Sequence, residues 1–232
     1  MTNFKTVKSA KKVAVILNGC GHRDGSEIHE AVLTLLAIEE AGAAWEVLAL
    51  DANQAAVLNH VDGSPDRDSP SRNMLKESAR IARGRIKNLI DVNPGNYSAV
   101  VIPGGNGTAS NLCNFATAGK DMTVNPVVAK FLESAHELHR PIGAICIAPM
   151  LLARVFGKSG VRLTLGDTHG GASKAAEVMG AKAEPCPASE CVVDDALRIV
   201  TTPAYMLEAG VAEIAKGIKA LVAEVLRMSP QV

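Results

Sequence analysis

Apolar positions along this chain switch between two spacings. Val13–Leu17 is an unbroken and mostly β-branched apolar run, the pattern of a strand buried on both faces. Residues 26–41 then set Ile28, Val32, Leu35, Leu36 and Ile38 at helical spacing and stop at Gly42, predicting a helix. Trp45–Leu50 reads as a second strand, and residues 51–71, rich in Asp, Pro and Ser, as an irregular excursion. A helix over 74–83 is stopped by Gly84, and the strand Ala99–Ile102 ends in Pro103-Gly104-Gly105. Helices are predicted to start near Thr108 and to run over 125–139. Ile142–Ile145 reads as a buried strand, followed by a helix whose Pro149 sits in the first turn, where its missing N–H does no harm. Leu163–Leu165, Cys191–Val193 and Ile199–Thr201 look like further strands, and Leu207–Leu226 like a long closing helix. Strands alternating with helices predict an α/β fold with a mostly parallel sheet covered on both faces. No repeat or linker divides the chain, so residues 13–232 are expected to form one domain after a basic tail, residues 1–12.

Composition narrows the function. With 47% hydrophobic and 21% charged residues over 232 positions, a large core is expected. The 24 basic residues cancel the 24 acidic ones, leaving no electrostatic footprint for nucleic acid or an anionic membrane. Aromatics at 3% argue against base-stacking platforms. No apolar run approaches the ~20 residues that span a bilayer. The first twelve residues hold four lysines and lead into no signal-peptide core, so a cytoplasmic protein is expected. The five cysteines, at 20, 113, 146, 186 and 191, form no CxxC pair or zinc set and fit a reducing compartment. Neither metal nor cofactor is expected.

In parallel sheets, sites lie beyond the carboxyl ends of the strands. Three stretches meet that condition: "NGCGHRDGSE", "PGGNG" and "CIAP". Cys146 falls between a strand and a helix. A cysteine there reads either as packing or as an elbow nucleophile, whose helix N-terminus would favour thiolate. In the second reading the Ile147 N–H faces a developing oxyanion, and Gly104 and Gly105 allow a further N–H to approach. Cys20, following the first strand at the same sheet edge, is the rival thiol. Among six histidines, His136 and His139 look solvated, and His169, in a Gly-rich loop, is a secondary candidate. Glu27 and Glu30 share one face of the first helix near its N-terminus, either as caps and solvated charge or as a proton carrier for Cys146. Gly19-x-Gly21 suggests a dinucleotide loop, with Asp51 placed as its ribose acid. Asp24 at the third glycine position would repel pyrophosphate, and Gly105-x-Gly107-x-x-Ser110 fails at the same position.

The strings "NGCGHRDGSEIHEAVLTLLAI", "LNHVDG", "RIARG", "VIPGGNGTASNLCNFATAG", "CIAPMLL" and "VTTPAYML" together resemble the ElbB family of enhancing-lycopene-biosynthesis, or isoprenoid biosynthesis, proteins with an amidotransferase-like domain. That family is grouped with PfpI proteases, the Parkinsonism-associated protein and class I glutamine amidotransferases. The resemblance covers about Val13 to Leu226. It implies a flavodoxin-like three-layer sandwich, a homodimer, and a mitochondrial location if the source is eukaryotic. It also implies cofactor-independent glyoxalase activity on small dicarbonyls, with Cys146 as elbow cysteine, Gly104 and Gly105 in the oxyanion loop, and Glu30 as its paired glutamate, Glu27 second. Three departures stand out. Ile147 replaces the histidine that follows the cysteine in PfpI proteases. "TTPAYM" replaces the amidotransferase His-x-Glu. Gly166 stands where many glyoxalase relatives carry histidine. Protease and glutaminase activities are therefore disfavoured. The alternative to an enzyme is a non-catalytic or redox-sensing thiol protein.

Overall fold

The computed structural model describes residues 11–230, so most of the expected basic tail, residues 1–10, lies outside the described residues. The chain runs β1 (Lys12–Ile16), α1 (Ile28–Glu40), β2 (Ala44–Ala49), α2 (Met74–Ile81), β3 (Ile86–Asn88), β4 (Ala99–Ile102), α3 (Phe115–Ala118), α4 (Pro126–Glu137), β5 (Ile142–Ile145), α5 (Pro149–Phe156), β6 (Arg162–Leu163), α6 (Gly171–Val178), β7 (Lys182–Ala183), β8 (Val192–Asp194), β9 (Ile199–Thr202) and α7 (Val211–Met228). Seven strands form one sheet in the order β3-β2-β1-β4-β5-β9-β8, all parallel except β8, which runs antiparallel to β9.

Side chains alternate across each strand, which explains the continuous apolar runs. In β1, Val13 and Val15 pack with Leu35 and Ile38 of α1 and Ile218, Leu221 and Val225 of α7. Ala14 and Ile16 face the other layer, with Phe131 of α4 and Leu151 of α5. The result is a flavodoxin-like α/β/α sandwich of the class I glutamine amidotransferase-like kind. Strand order reverses direction between β1 and β4, the switch point beyond whose carboxyl ends ligands bind in open parallel sheets.

Several boundaries differ from the sequence-based expectation. β1 begins at Lys12, inside the expected tail. The last helix begins at Val211, because Pro203 is followed by a 3₁₀ turn over Ala204–Met206 and Gly210 takes the extended cap position. The helix expected near Thr108 is a π-helical turn, Thr108–Leu112, cut short by extended Cys113, which bridges to Val124. β6 is only two residues long and pairs with β7 in a separate ribbon. The sequence reading omitted β3 and β7, whose three and two residues are too short to show a period.

Candidate active site

Three chain segments meet beyond the carboxyl ends of β1, β4 and β5. The loop after β1 is tied down by buried polar groups. The Asn18 side chain donates to Thr108 Oγ1 at 2.9 Å, and Asn111 Nδ2 donates to the Asp24 carbonyl at 2.8 Å. This brace leads the chain into α1, whose N-cap is Glu27; its Oε2 accepts the Glu30 N–H at 2.7 Å. The Glu27 N–H in turn donates to the Gly104 carbonyl at 3.0 Å, clamping α1 to the loop after β4.

Cys146 follows β5 with φ of 62°, a left-handed conformation that a side chain disfavours. Its N–H donates to the Thr202 carbonyl at 2.9 Å, so the end of β9 holds the strained residue in place. Strand, positive-φ residue, then helix with Pro149 in its first turn is the geometry of a nucleophile elbow. Gly104 lies directly against it: a Cβ at Gly104 would stand 2.6 Å from Cys146 Cβ and 2.9 Å from Glu30 Oε2. No other residue type fits between thiol and carboxyl.

Glu30 is fully buried and Glu27 is 9% exposed. Glu30 Oε2 accepts the Gly104 N–H at 2.8 Å. Its Oε1 has no partner of full hydrogen-bond geometry, although the Cys146 thiol and the Tyr205 N–H both act on the carboxyl. Burial pushes this carboxyl up to about 8, with the Gly104 N–H pulling the other way. Cys146 is held well above the ordinary thiol range, by burial first and by the Glu30 charge second; the N–H groups of Gly105 and Ile147 oppose the rise and lose. The thiolate expected from a helix N-terminus is thus corrected. Pro149 brings no N–H, and removal from water outweighs two backbone dipoles. Glu30 and Cys146 form a coupled pair whose first proton leaves near the carboxyl's raised value, leaving one negative charge to share.

The other sequence candidates fall out differently. The Gly105 and Ile147 N–H groups address the sulfur, whereas the Gly104 N–H is engaged by Glu30 and is not a free oxyanion donor. Cys20 is half-buried, and its thiol is raised by burial and then by Glu77; the charges acting on it come from Glu77, Arg80, Arg72 and Asp24, none of them in the Cys146 pair. His169 is exposed, and its backbone N–H bonds the Asp167 carboxylate. Asp24 is buried and accepts the Leu58 N–H at 2.8 Å, which ties the loop after β1 to the 51–71 excursion. No group of three or more His, Cys, Asp and Glu side chains among the described residues is arranged to hold a metal ion.

Two residues at the rim escaped the sequence reading. His29 Nδ1 and Tyr205 Oη share a 2.8 Å hydrogen bond, and Glu27 Oε1 lies 3.8 Å from the same Nδ1. Their only sequence signal is position: His29 immediately precedes Glu30, and Tyr205 stands in the "TTPAYM" departure.

The DJ-1/PfpI family profile matches residues 11–209. The human "Glutamine amidotransferase-like class 1 domain-containing protein 3, mitochondrial" is 40% identical over 230 residues, covering 96% of this chain and 85% of that protein. A crystal structure of an isoprenoid biosynthesis protein with amidotransferase-like domain from Ehrlichia chaffeensis superposes with a TM-score of 0.87 at 32% identity, covering 94% of this chain and 99% of that one. Glyoxalase III from Candida albicans shares the fold alone, with a TM-score of 0.59 at 15% identity over 96% of this chain and 98% of that one. Among the described residues no helix is long and apolar enough to cross a membrane. A thiol-bearing elbow, a buried glutamate beside it and a profile match over most of the sequence agree: the chain belongs to the DJ-1/PfpI family.

Proposed function

We propose that this protein is a cofactor-independent glyoxalase acting on glyoxal or methylglyoxal. The observation that carries the reading is the buried Glu30–Cys146 pair beneath a positive-φ elbow. The Cys146 sulfur adds to the aldehyde carbon and its proton passes through Glu30 to the carbonyl oxygen, giving a hemithioacetal. Glu30, in its carboxylate form, removes the C1 hydrogen as a proton and delivers it to the C2 oxygen, giving an enediol. The C1 hydroxyl then loses its proton to Glu30, which hands it to C2, so that C1 becomes the carbonyl of a thioester of the 2-hydroxy acid. Water then cleaves the C–S bond and restores the thiol. C1 is oxidised and C2 reduced within one molecule, so the balance needs only water. A carboxyl near 8 suits this work, because it gives and takes a proton around neutral pH. A redox sensor instead needs a ready thiolate, and the burial of Cys146 works against one.

The test is chelator-treated protein given methylglyoxal without glutathione or nicotinamide. Lactate should appear, and Cys146→Ala should abolish it. Lactate at the Cys146→Ala background level from the parent would end the reading for this substrate.

The same reading carries a homodimer. Ile28, Val32 and Leu36 form an apolar stripe on α1 that is 42%, 48% and 49% exposed, beside the site's own helix start. A second copy of this surface is its natural cover. A mitochondrial setting is proposed for eukaryotic members of this group, as the human relative's name states for that protein.

A further inference from the structure

The histidine implied by the resemblance has no room here. A Cβ at Gly166, which has φ of +93°, would stand 2.8 Å from Leu207 Cδ2 and 3.5 Å from Pro203 Cβ, so Leu207 fills the space a side chain would take. Three residues before Leu207, the chain makes an unusual turn. Ala204 has φ of 43°, strained for a residue with a side chain. That turn sends the Tyr205 N–H toward Glu30 and its phenol toward His29. Tyr205 packs against the same apolar cluster as Cys146, and its phenol is within reach of the charges of both Glu27 and Glu30.

The direction of the His29–Tyr205 hydrogen bond follows from a third group. The Glu27 carboxylate lies 3.8 Å from His29 Nδ1, which favours a proton on that nitrogen. Nδ1–H then donates to Tyr205 Oη across 2.8 Å. Among the described residues the phenolic O–H then has no acceptor, and it can donate to a substrate.

We propose that Tyr205 is the donor to the second oxygen of a 1,2-dicarbonyl substrate, with His29 as the residue that positions it. The inference rests on the glyoxalase reading and deepens it, since it gives the site a reason to prefer two adjacent carbonyls over one. While the sulfur holds C1, the Tyr205 O–H bonds the C2 oxygen and stabilises the charge that builds there as the C1 proton leaves. His29, hydrogen-bonded behind the phenol, strengthens that donor; it touches no reacting atom.

The experiment reads binding, not turnover. Cys146 is alkylated with iodoacetamide at pH 8.5, and the concentrations of methylglyoxal and of propanal that halve the rate are compared. Hydration and intrinsic aldehyde reactivity cancel when the methylglyoxal-to-propanal ratio of a variant is divided by that of the parent. Tyr205→Phe should shrink the preference for methylglyoxal at least tenfold while leaving the unprotected alkylation rate within twofold. His29→Leu should lose part of the preference, and His29→Gln, whose amide can still donate to Oη, should restore most of it. An unchanged ratio in Tyr205→Phe overturns the proposal, and so does a parent protein that methylglyoxal fails to protect. The two readings fail separately. Protection with the expected ratios but no lactate removes the glyoxalase activity and keeps the dicarbonyl site. Lactate formation with an unchanged ratio removes the role of Tyr205 alone.

Discussion

Glu30 keeps in the folded chain a proton that the unfolded chain sheds. Its folded value is about 8 against an ordinary 4.5, with burial as the main cause. The folded state therefore binds more protons over that interval. The stability this group contributes is whole below the unfolded value and is lost as pH rises toward 8. Glu30→Gln has no charge to bury, so its melting temperature should gain on the parent by roughly 5 °C or more between pH 5 and pH 8, and no further above. A gap that stays constant with pH, followed by thermal melts, would show that Glu30 ionises normally. In turnover, Glu30→Gln should cost on the order of a hundredfold or more, because it removes the group that carries protons. Glu27→Gln keeps an oxygen for the Glu30 N–H and should lose far less. Comparable losses in lactate production from the two variants would mean that both carboxylates carry protons.

At the scale of elements, one helix and one glycine loop set the site. Gly104 separates α1 from the elbow, and its Cβ would sit 2.6 Å from Cys146 Cβ. Gly104→Ala should therefore lower kcat/KM for methylglyoxal by about a hundredfold or more, since small displacements of reacting groups are costly. Near-parental activity in that variant would mean that the loop yields without disturbing the pair. The other face of α1 carries Ile28, Val32 and Leu36 into solvent. Val32→Glu, which puts a charge mid-stripe, should convert a dimer to monomer in light scattering after size exclusion, with the far-ultraviolet circular dichroism unchanged. A monomeric parent would remove the homodimer from the reading.

Across the whole molecule, α7 is the support beneath β5. A Cβ at Gly143 would stand 2.8 Å from Leu221 Cδ2, so helix and strand touch with nothing between them. Leu221 is fully buried. Leu221→Ala should cost about 2–5 kcal/mol in urea unfolding. A loss under 1 kcal/mol would show that α7 collapses onto the vacated space.

The amino-acid sequence by itself determined the elements with a clear period, and it named the candidate thiol and the two candidate glutamates. Val13–Leu17, Ala99–Ile102 and Ile142–Ile145 are apolar on both faces, which only a covered, mostly parallel sheet accommodates. The three-residue spacing put Glu27 and Glu30 on one face of α1, the resemblance favoured Glu30, and the fold buries Glu30 fully while leaving Glu27 9% exposed. What sequence left undecided depends on distance and dielectric. β3 and β7 are defined by neighbours rather than by period. The ionisation of Cys146 was read from a local helix terminus but is decided by burial and a carboxyl from another element. His29 and Tyr205 lie 176 positions apart along the chain, and only the folded sheet, carrying β9 to the head of α1, brings them to 2.8 Å.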